Sequence, residues 1–359
     1  LKRLFVSDCE GPISKNDNAY ELAENFIPNG GSFFANISKY DDVLADVFHK
    51  HGYTAGSTLK LVLPFFKAYG VTDKMMDDFS AQNILFIADS KTTLQHVLGI
   101  ADSFIVSTSY EHYIRALCNV ADFPYQNTYC TKVSLNKTQI TPKERDMLRD
   151  IAQEIAQTRL IDIPQNAKSA EDFCDCDQEI LQRFDEIFWD ILPKTGVGKF
   201  LDIVTVGGEQ KAESIRDAAK KLDATLGDVM YVGDSITDVE AFQLVREGGG
   251  LSVSFNGNNY AVRNAEVAVQ SESNLVTAVL ADVFCKQGKA AALKLVENWS
   301  PEALEQSGTD ETLLSQFQTV TANGLPKVQI VTAENMDSII KESSAFRKQV
   351  RGVSIGRLG

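Results

Sequence analysis

Four groups of residues in this sequence have the types and spacing for chemistry. They are Asp8-Cys9-Glu10-Gly11, Ser107, Lys211 and Gly233-Asp234-Ser235-Ile236-Thr237-Asp238. If they converge, Asp8, Glu10, Asp234 and Asp238 place several carboxylates within a few ångströms. A like-charge pair 4 Å apart costs about 4 kcal/mol at an effective dielectric of 20, so such a cluster requires protons, cations or both. Ligands that are all oxygen select a hard ion, which favours Mg²⁺ over zinc. Lys211 would add a second positive charge and Ser107 a hydroxyl donor. A metal, a lysine and a hydroxyl around a carboxylate form a receptor for a phosphoryl group. A shared ion also sets a limit: the carboxylates of Asp8 and Asp234 must lie within about 8 Å of each other.

Each group has an ordinary alternative. Asp-x-Glu is common, a serine at a strand end usually satisfies local backbone groups, and Asp234 or Ser235 would cap a helix equally well. The elements around them decide between the readings. Leu4-Phe5-Val6 is a short apolar run ending at Ser7-Asp8, as a buried parallel strand ends. Phe104–Val106 leads to Ser107, Val229–Val232 to Gly233-Asp234, and Leu251–Phe255 to Asn256-Gly257. Thr128–Val133 and Val267–Val269 are predicted as further strands. Helices are predicted at Ser90–Val97, Glu111–Cys118 and Glu209–Leu222. This alternation predicts an α/β fold with a Rossmann-like parallel sheet. Ligands of such sheets bind beyond the carboxyl ends of the strands, where three of the four groups fall. Lys211 opens a helix.

Read together, Asp8-x-Glu10-Gly11, Ser107, Lys211 and Gly233-Asp234-x-x-x-Asp238 resemble the four motifs of the haloacid dehalogenase (HAD) superfamily, in order. The core looks most like the phosphoserine phosphatase group, in "FIVSTSYEHYIRAL" and in "VMYVGDSITDVEAF" followed by "LSVSFNGNNYAVRNAEVAV". The whole chain, including "DCEGPISKNDNAYELA", resembles an archaeal HAD branch labelled as subunit R of an energy-converting hydrogenase. The resemblance implies that Asp8 attacks phosphorus and becomes an aspartyl phosphate. Glu10 takes the general acid/base position, and its backbone carbonyl ligates Mg²⁺. Ser107 and Lys211 hold phosphoryl oxygens. Asp234 ligates the metal, and Asp238 is a ligand or an acceptor behind it. Most phosphatases of the superfamily have aspartate where this chain has Glu10. The longer arm leaves three outcomes open: a phosphatase, a phosphotransferase to an alcohol acceptor, or a slow remnant. A homoserine phosphotransferase related to phosphoserine phosphatase has a similar Asp-x-Glu-Gly motif.

The resemblance covers residues 1–13, 80–139 and 197–284, the expected catalytic core. Residues 14–79 read as a helical cap, with helices at Ala19–Phe26, Asp41–His49 and Leu59–Ala68 separated by Gly30-Gly31 and Gly52. Residues 140–196 read as a second helical insertion, with helices at Lys143–Thr158 and Gln178–Ile191. Residues 285–359 read as a helical extension, with helices at Ala290–Asn298, Pro301–Gln306 and Glu334–Val350. Thr108, beside Ser107, and Tyr53, Ser57 and Lys60, in a glycine-containing part of the cap, are the expected substrate contacts.

Bulk properties narrow the function further. A net charge of −14 in 359 residues argues against nucleic acid as the partner. No apolar run approaches the ~20 residues that cross a bilayer, and the short N-terminal apolar stretch enters a motif directly, so a cytoplasmic protein is expected. Six cysteines are too few for a disulfide framework in a chain of this length. Cys174-Asp175-Cys176 lacks the usual spacing of a metal or redox pair. The expected partner is a small phosphorylated metabolite. The extension could also serve a protein partner, a homo-oligomer, or a regulatory subunit that keeps the fold without catalysis.

Overall fold

The structure is a computed structural model that describes residues 3–358. Short apolar segments build its sheet: β1 (Leu4–Ser7), β2 (Asp102–Tyr110), β3 (Thr128–Thr131), β4 (Val229–Gly233), β5 (Leu251–Phe255), β6 (Val267–Gln270) and β7 (Lys327–Ile330). Their order across the sheet is β3-β2-β1-β4-β5-β6-β7. The first six pair in parallel, and β7 joins β6 antiparallel. β1, β4 and β5 are buried along their whole length. This agrees with the apolar runs of β1 and β4, because a central parallel strand is covered on both faces, while β5 buries Ser252 and Ser254 between its apolar residues. The Rossmann-like α/β reading therefore holds. β7 differs from the expectation of an all-helical extension. Of its four residues only Val328 is buried, as suits an edge strand.

Helices follow the sequence in chain order: α1 (Asn18–Phe26), α2 (Gly30–Asp42), α3 (Thr58–Ala68), α4 (Asp73–Gln82), α5 (Ser90–Ile100) and α6 (Glu111–Ala121). Then come α7 (Pro142–Gln157), α8 (Asp175–Asp185), α9 (Glu209–Lys221), α10 (Val239–Glu247), α11 (Asn259–Asn264) and α12 (Leu275–Gln287). The extension adds α13 (Lys289–Glu297), α14 (Pro301–Glu305), α15 (Glu311–Val320) and α16 (Met336–Arg351). Asp17 caps α1 by accepting from the Tyr20 amide, and Thr141 and Glu144 form a reciprocal capping box at α7.

Gly30 and Gly31 do not separate helices as expected; they open α2. A side chain at Gly30 would place its Cβ 1.8 Å from the Ala23 carbonyl oxygen, so this glycine lets α2 start against the end of α1. The helix expected over Asp41–His49 is the last turn of α2 followed by a π-helical turn at Val43–Val47.

The two helical insertions share one hydrophobic core. Leu22, Phe33, Tyr40 and Phe65 from the first meet Leu148, Ile155, Phe184 and Phe188 from the second. The Phe188 ring stacks on Tyr40 at 5.5 Å and meets Phe65 and Phe184 edge-on at 6.3 Å each. Phe188→Ala should therefore cost about 3–5 kcal/mol, measurable by chemical denaturation. A loss below about 1 kcal/mol would mean that the two insertions are not jointly cored.

Candidate functional site

Strand register places the chemistry. Ser7 at the end of β1 lies opposite Ile105 of β2 and Val232 of β4. The next residue, Asp8, continues the ladder by donating its amide to the Val232 carbonyl at 2.8 Å. Asp8 and Asp234 thereby follow the ends of β1 and β4. Ser107, expected at a strand end, lines the same cleft from within β2, which continues past it through an irregularity to Tyr110. The chain turns immediately after Asp8, with Gly11 at φ +109°. A Cβ at Gly11 would lie 2.0 Å from Oδ2 of Asp234, so only glycine lets the turn rest against that carboxylate.

Asp8 is buried. Its Oδ1 accepts from the Cys9 amide at 2.6 Å, and its Oδ2 accepts from Lys211 Nζ at 2.6 Å. Lys211 stands in the first turn of α9, is wholly buried, and also donates to Asp238 Oδ1 at 2.7 Å. That oxygen accepts from the Tyr231 hydroxyl at 2.6 Å as well. The other oxygen of Asp238 accepts the amides of Asp234 and Ser235 at 2.9 Å each. Asp238 thus has its acceptor capacity largely filled by protein donors. It fixes both Lys211 and the turn that carries Asp234.

The charges follow from this geometry. Burial pushes the Asp8 carboxyl up to about 7, with Asp238 and Asp234 adding to the shift and Lys211 opposing it. Burial would raise Asp238 too, but Lys211, Tyr231 and the Asp234 amide hold it below the usual carboxylate range. Lys211 loses solvation, yet its two carboxylate partners keep it above an ordinary lysine. One oxygen from each of Asp8, Asp234 and Asp238 lies within 4.8 Å of the others. This is well inside the limit that a shared ion sets. An all-oxygen set at this spacing, with a glycine cradle beside it, fits a hard divalent cation.

Glu10 uses its extra methylene to reach the start of α1, where Oε1 accepts the Asn18 amide at 2.6 Å. Burial, and then Asp17, push its carboxyl well above the usual range, which favours its protonated form. Ser107 is buried, with Oγ donating to Ser109 Oγ at 3.1 Å. Thr108 lines the same cleft as Asp8, Glu10, Ser107 and Asp234. Tyr53, Ser57 and Lys60 do not. Ser57 donates to the Thr54 carbonyl at 2.8 Å, and Lys60 sits over the Tyr53 ring at 5.6 Å. Their neighbours Gly56, Thr58 and Leu59 line the cleft instead, with Asp41 and Asp42 from α2.

Sequence reasoning missed two residues that the structure brings to this site, Arg347 and Arg351 of α16. Arg347 is buried and ion-pairs with Asp234, and Arg351 reaches the same Oδ2 at 3.1 Å. The one available signal was their spacing of four, with Arg347 inside the predicted helix Glu334–Val350 and Arg351 one residue beyond it, and such spacing elsewhere usually marks a solvated face.

A family model described as haloacid dehalogenase-like hydrolase matches residues 63–282. The chain belongs to the haloacid dehalogenase-like hydrolases. The matched segment of this hydrolase contains Ser107, Lys211, Asp234 and Asp238, while Asp8 and Glu10 precede it. Among solved structures, the AF1437 gene product of Archaeoglobus fulgidus is similar over 100% of this chain and 99% of its own, with TM-score 0.80 and 26% identity. The hydrolase therefore shares its whole architecture, extension included, with that protein. A phosphoserine phosphatase described as a phospho-aspartyl intermediate analogue aligns over 76% of this chain and 95% of its own, with TM-score 0.46 and 13% identity. At that level the similarity has no bearing on activity. No curated protein matches the chain. None of these matches carries a hydrogenase-subunit description. Among the described residues of this hydrolase, no helix is long and apolar enough to cross a membrane.

Proposed function

We propose that this hydrolase is a Mg²⁺-dependent phosphatase that cleaves a small phosphomonoester through an aspartyl phosphate on Asp8. The observation that carries the reading is the Asp8 carboxylate, fixed 2.6 Å from a wholly buried Lys211 and grouped with Asp234 and Asp238. A binding module has no use for a buried, partly compensated carboxylate at a sheet edge, because the burial costs stability.

Asp8, Asp234 and the Glu10 carbonyl would hold Mg²⁺, with Asp238 behind them, and the ion would neutralise phosphoryl oxygens in the transition state. Lys211 and Ser107 then hold the remaining phosphoryl oxygens. An oxygen of Asp8 attacks phosphorus and the ester oxygen leaves, taking the proton that Glu10 holds. Glu10, now ionised, takes a proton from water as the water oxygen attacks the aspartyl phosphate. Phosphate departs, and Asp8 and Glu10 return to their starting states. Residues 14–79 would act as the cap, excluding bulk water during the first step.

The bond from Glu10 to the Asn18 amide also favours a second reading, transfer of the phosphoryl group to an alcohol. The carboxyl is tied to α1 of the cap segment, so an acceptor bound there would share its base. A phosphomonoester panel with Mg²⁺, scored for free phosphate and for phosphorylated acceptor, tests both readings. No turnover and no acid-labile phosphoenzyme with any substrate would reject both. Glu10→Gln keeps the acceptor for Asn18 but cannot exchange a proton. It should lower kcat by about 10²–10⁴-fold. A kcat within threefold of the parent would assign the acid/base role elsewhere.

A further inference from the structure

The helix that ends the extension reaches into the cleft. α16 buries only Ile339, Ser343 and Arg347, a stripe spaced by four residues on one face. Ile339 packs on Val262 and Ala268, and Ser343 donates to the Gly257 carbonyl at 2.6 Å. Arg347 then descends onto the Asp234 side chain. Arg351, one turn on, reaches the same oxygen and also donates to the backbone carbonyls of Lys15, at 3.0 Å, and Asn16. The helix is held to the site mainly by polar contacts, and two guanidinium groups converge on one carboxylate oxygen. Nε of Arg347 is buried with no acceptor. A buried donor in that state costs about 1–3 kcal/mol, and an anion arriving in the cleft would satisfy it.

The charges point the same way. Asp8, Asp234 and Asp238 are ion-paired with three side-chain cations, Lys211, Arg347 and Arg351, so this ion-paired cluster holds equal numbers of carboxylates and cations. A divalent cation would leave it two charges positive, and a phosphoryl dianion would restore the balance.

We propose that α16 is part of the substrate site, and that Arg347 and Arg351 pass from Asp234 to the substrate's phosphoryl oxygens when a divalent cation takes Asp234. A guanidinium offers phosphate a planar fork of donors, and the two arginines need only exchange one set of oxygens for another. The inference rests on the phosphatase reading. It adds that the extension, outside the matched family segment, recognises the anion.

Calorimetry on the full chain tests it without turnover, first with Mg²⁺ alone and then with orthovanadate at saturating Mg²⁺. The two ligands should respond in opposite directions. Arg347→Gln should bind vanadate roughly 10- to 100-fold more weakly, the equivalent of one charge-assisted hydrogen bond. The same variant should bind Mg²⁺ alone severalfold more tightly, because a competing cation is gone. Arg351→Gln should show the same pattern to a smaller extent. Arg347→Lys, which keeps the charge and guards against misfolding, should leave Mg²⁺ affinity near the parent and weaken vanadate by less. Vanadate affinity within twofold of the parent in all three variants overturns the proposal. So does joint weakening of both ligands, or a parent that binds no vanadate with Mg²⁺. If the parent shows arginine-dependent vanadate binding but no turnover or phosphoenzyme, the phosphatase reading falls and the anion site stands. Phosphate release together with arginine-independent vanadate binding gives the reverse.

Discussion

Asp8→Asn should remove phosphate release almost completely, by at least about 10⁴-fold, the scale on which a lost nucleophile acts. No acid-labile phosphoenzyme should form. The change is nearly isosteric, and an amide oxygen at the Oδ1 position still accepts the Cys9 amide that donates there at 2.6 Å. The fold should survive, and the direction of its stability change is specific. Folding raises the Asp8 carboxyl to about 7, chiefly by burial. An acid raised by folding destabilises the native state above its unfolded pKa, and fully so once pH passes the folded value. At pH 8 the parent carries that penalty and the asparagine variant does not. The variant should therefore unfold at the same temperature as the parent or higher at pH 8, and its advantage should vanish below about pH 4. Lys211 limits the gain, since it loses one of its two carboxylate partners and faces the amide nitrogen, another donor, in its place. Residual activity above about 1% of the parent would mean that another group attacks phosphorus.

Much of this arrangement was legible from local sequence. β1, β2, β4 and β6 could be read because a strand covered on both faces carries a short apolar run, and the residue that follows such a run lies toward the ligand. β3 and β5 could be read from β-branched and aromatic residues although polar residues interrupt them. Asp8 and Asp234 were found from the ends of such runs, and Ser107 because the apolar run Phe104–Val106 stops before it, although the strand itself goes on to Tyr110. Lys211 and Asp238 were found because each sits one turn or less from a strand end or helix start. β7 escaped because one buried residue in four, Val328, leaves no run to detect. α2 was misplaced because Gly30-Gly31 reads as a break, and only the approach of the Ala23 carbonyl shows why glycine opens a helix there. Arg347 lies 113 residues from Asp234, and no local spacing encodes that meeting. A mostly polar helix with three buried residues resembles a solvated one until its partner surface is known.

Lys211→Met tests the electrostatics of the site. Methionine is unbranched and flexible enough to occupy the lysine's channel without strain, so the charge is the main thing removed. Breaking a buried ion pair by deleting one partner typically costs about 3–5 kcal/mol, because the remaining charge has no compensation. Here two carboxylates lose the same partner, Asp8 at 2.6 Å and Asp238 at 2.7 Å. Denaturant unfolding at pH 7.5 should show a deficit of about that size, and turnover should fall with it, since Lys211 also holds a phosphoryl oxygen in the proposed mechanism. The pH dependence separates this cause from simple packing loss. In the parent, Lys211 holds Asp238 below its unfolded pKa. That contribution is present above about pH 4 and is lost as pH falls through the lower folded value. In the variant, burial raises both carboxyls unopposed by the lysine, and acidification relieves the strain by protonating them. The deficit should therefore shrink between pH 7.5 and pH 5. A deficit that stays constant over that range would make Lys211 a packing residue rather than the cation that balances Asp8 and Asp238.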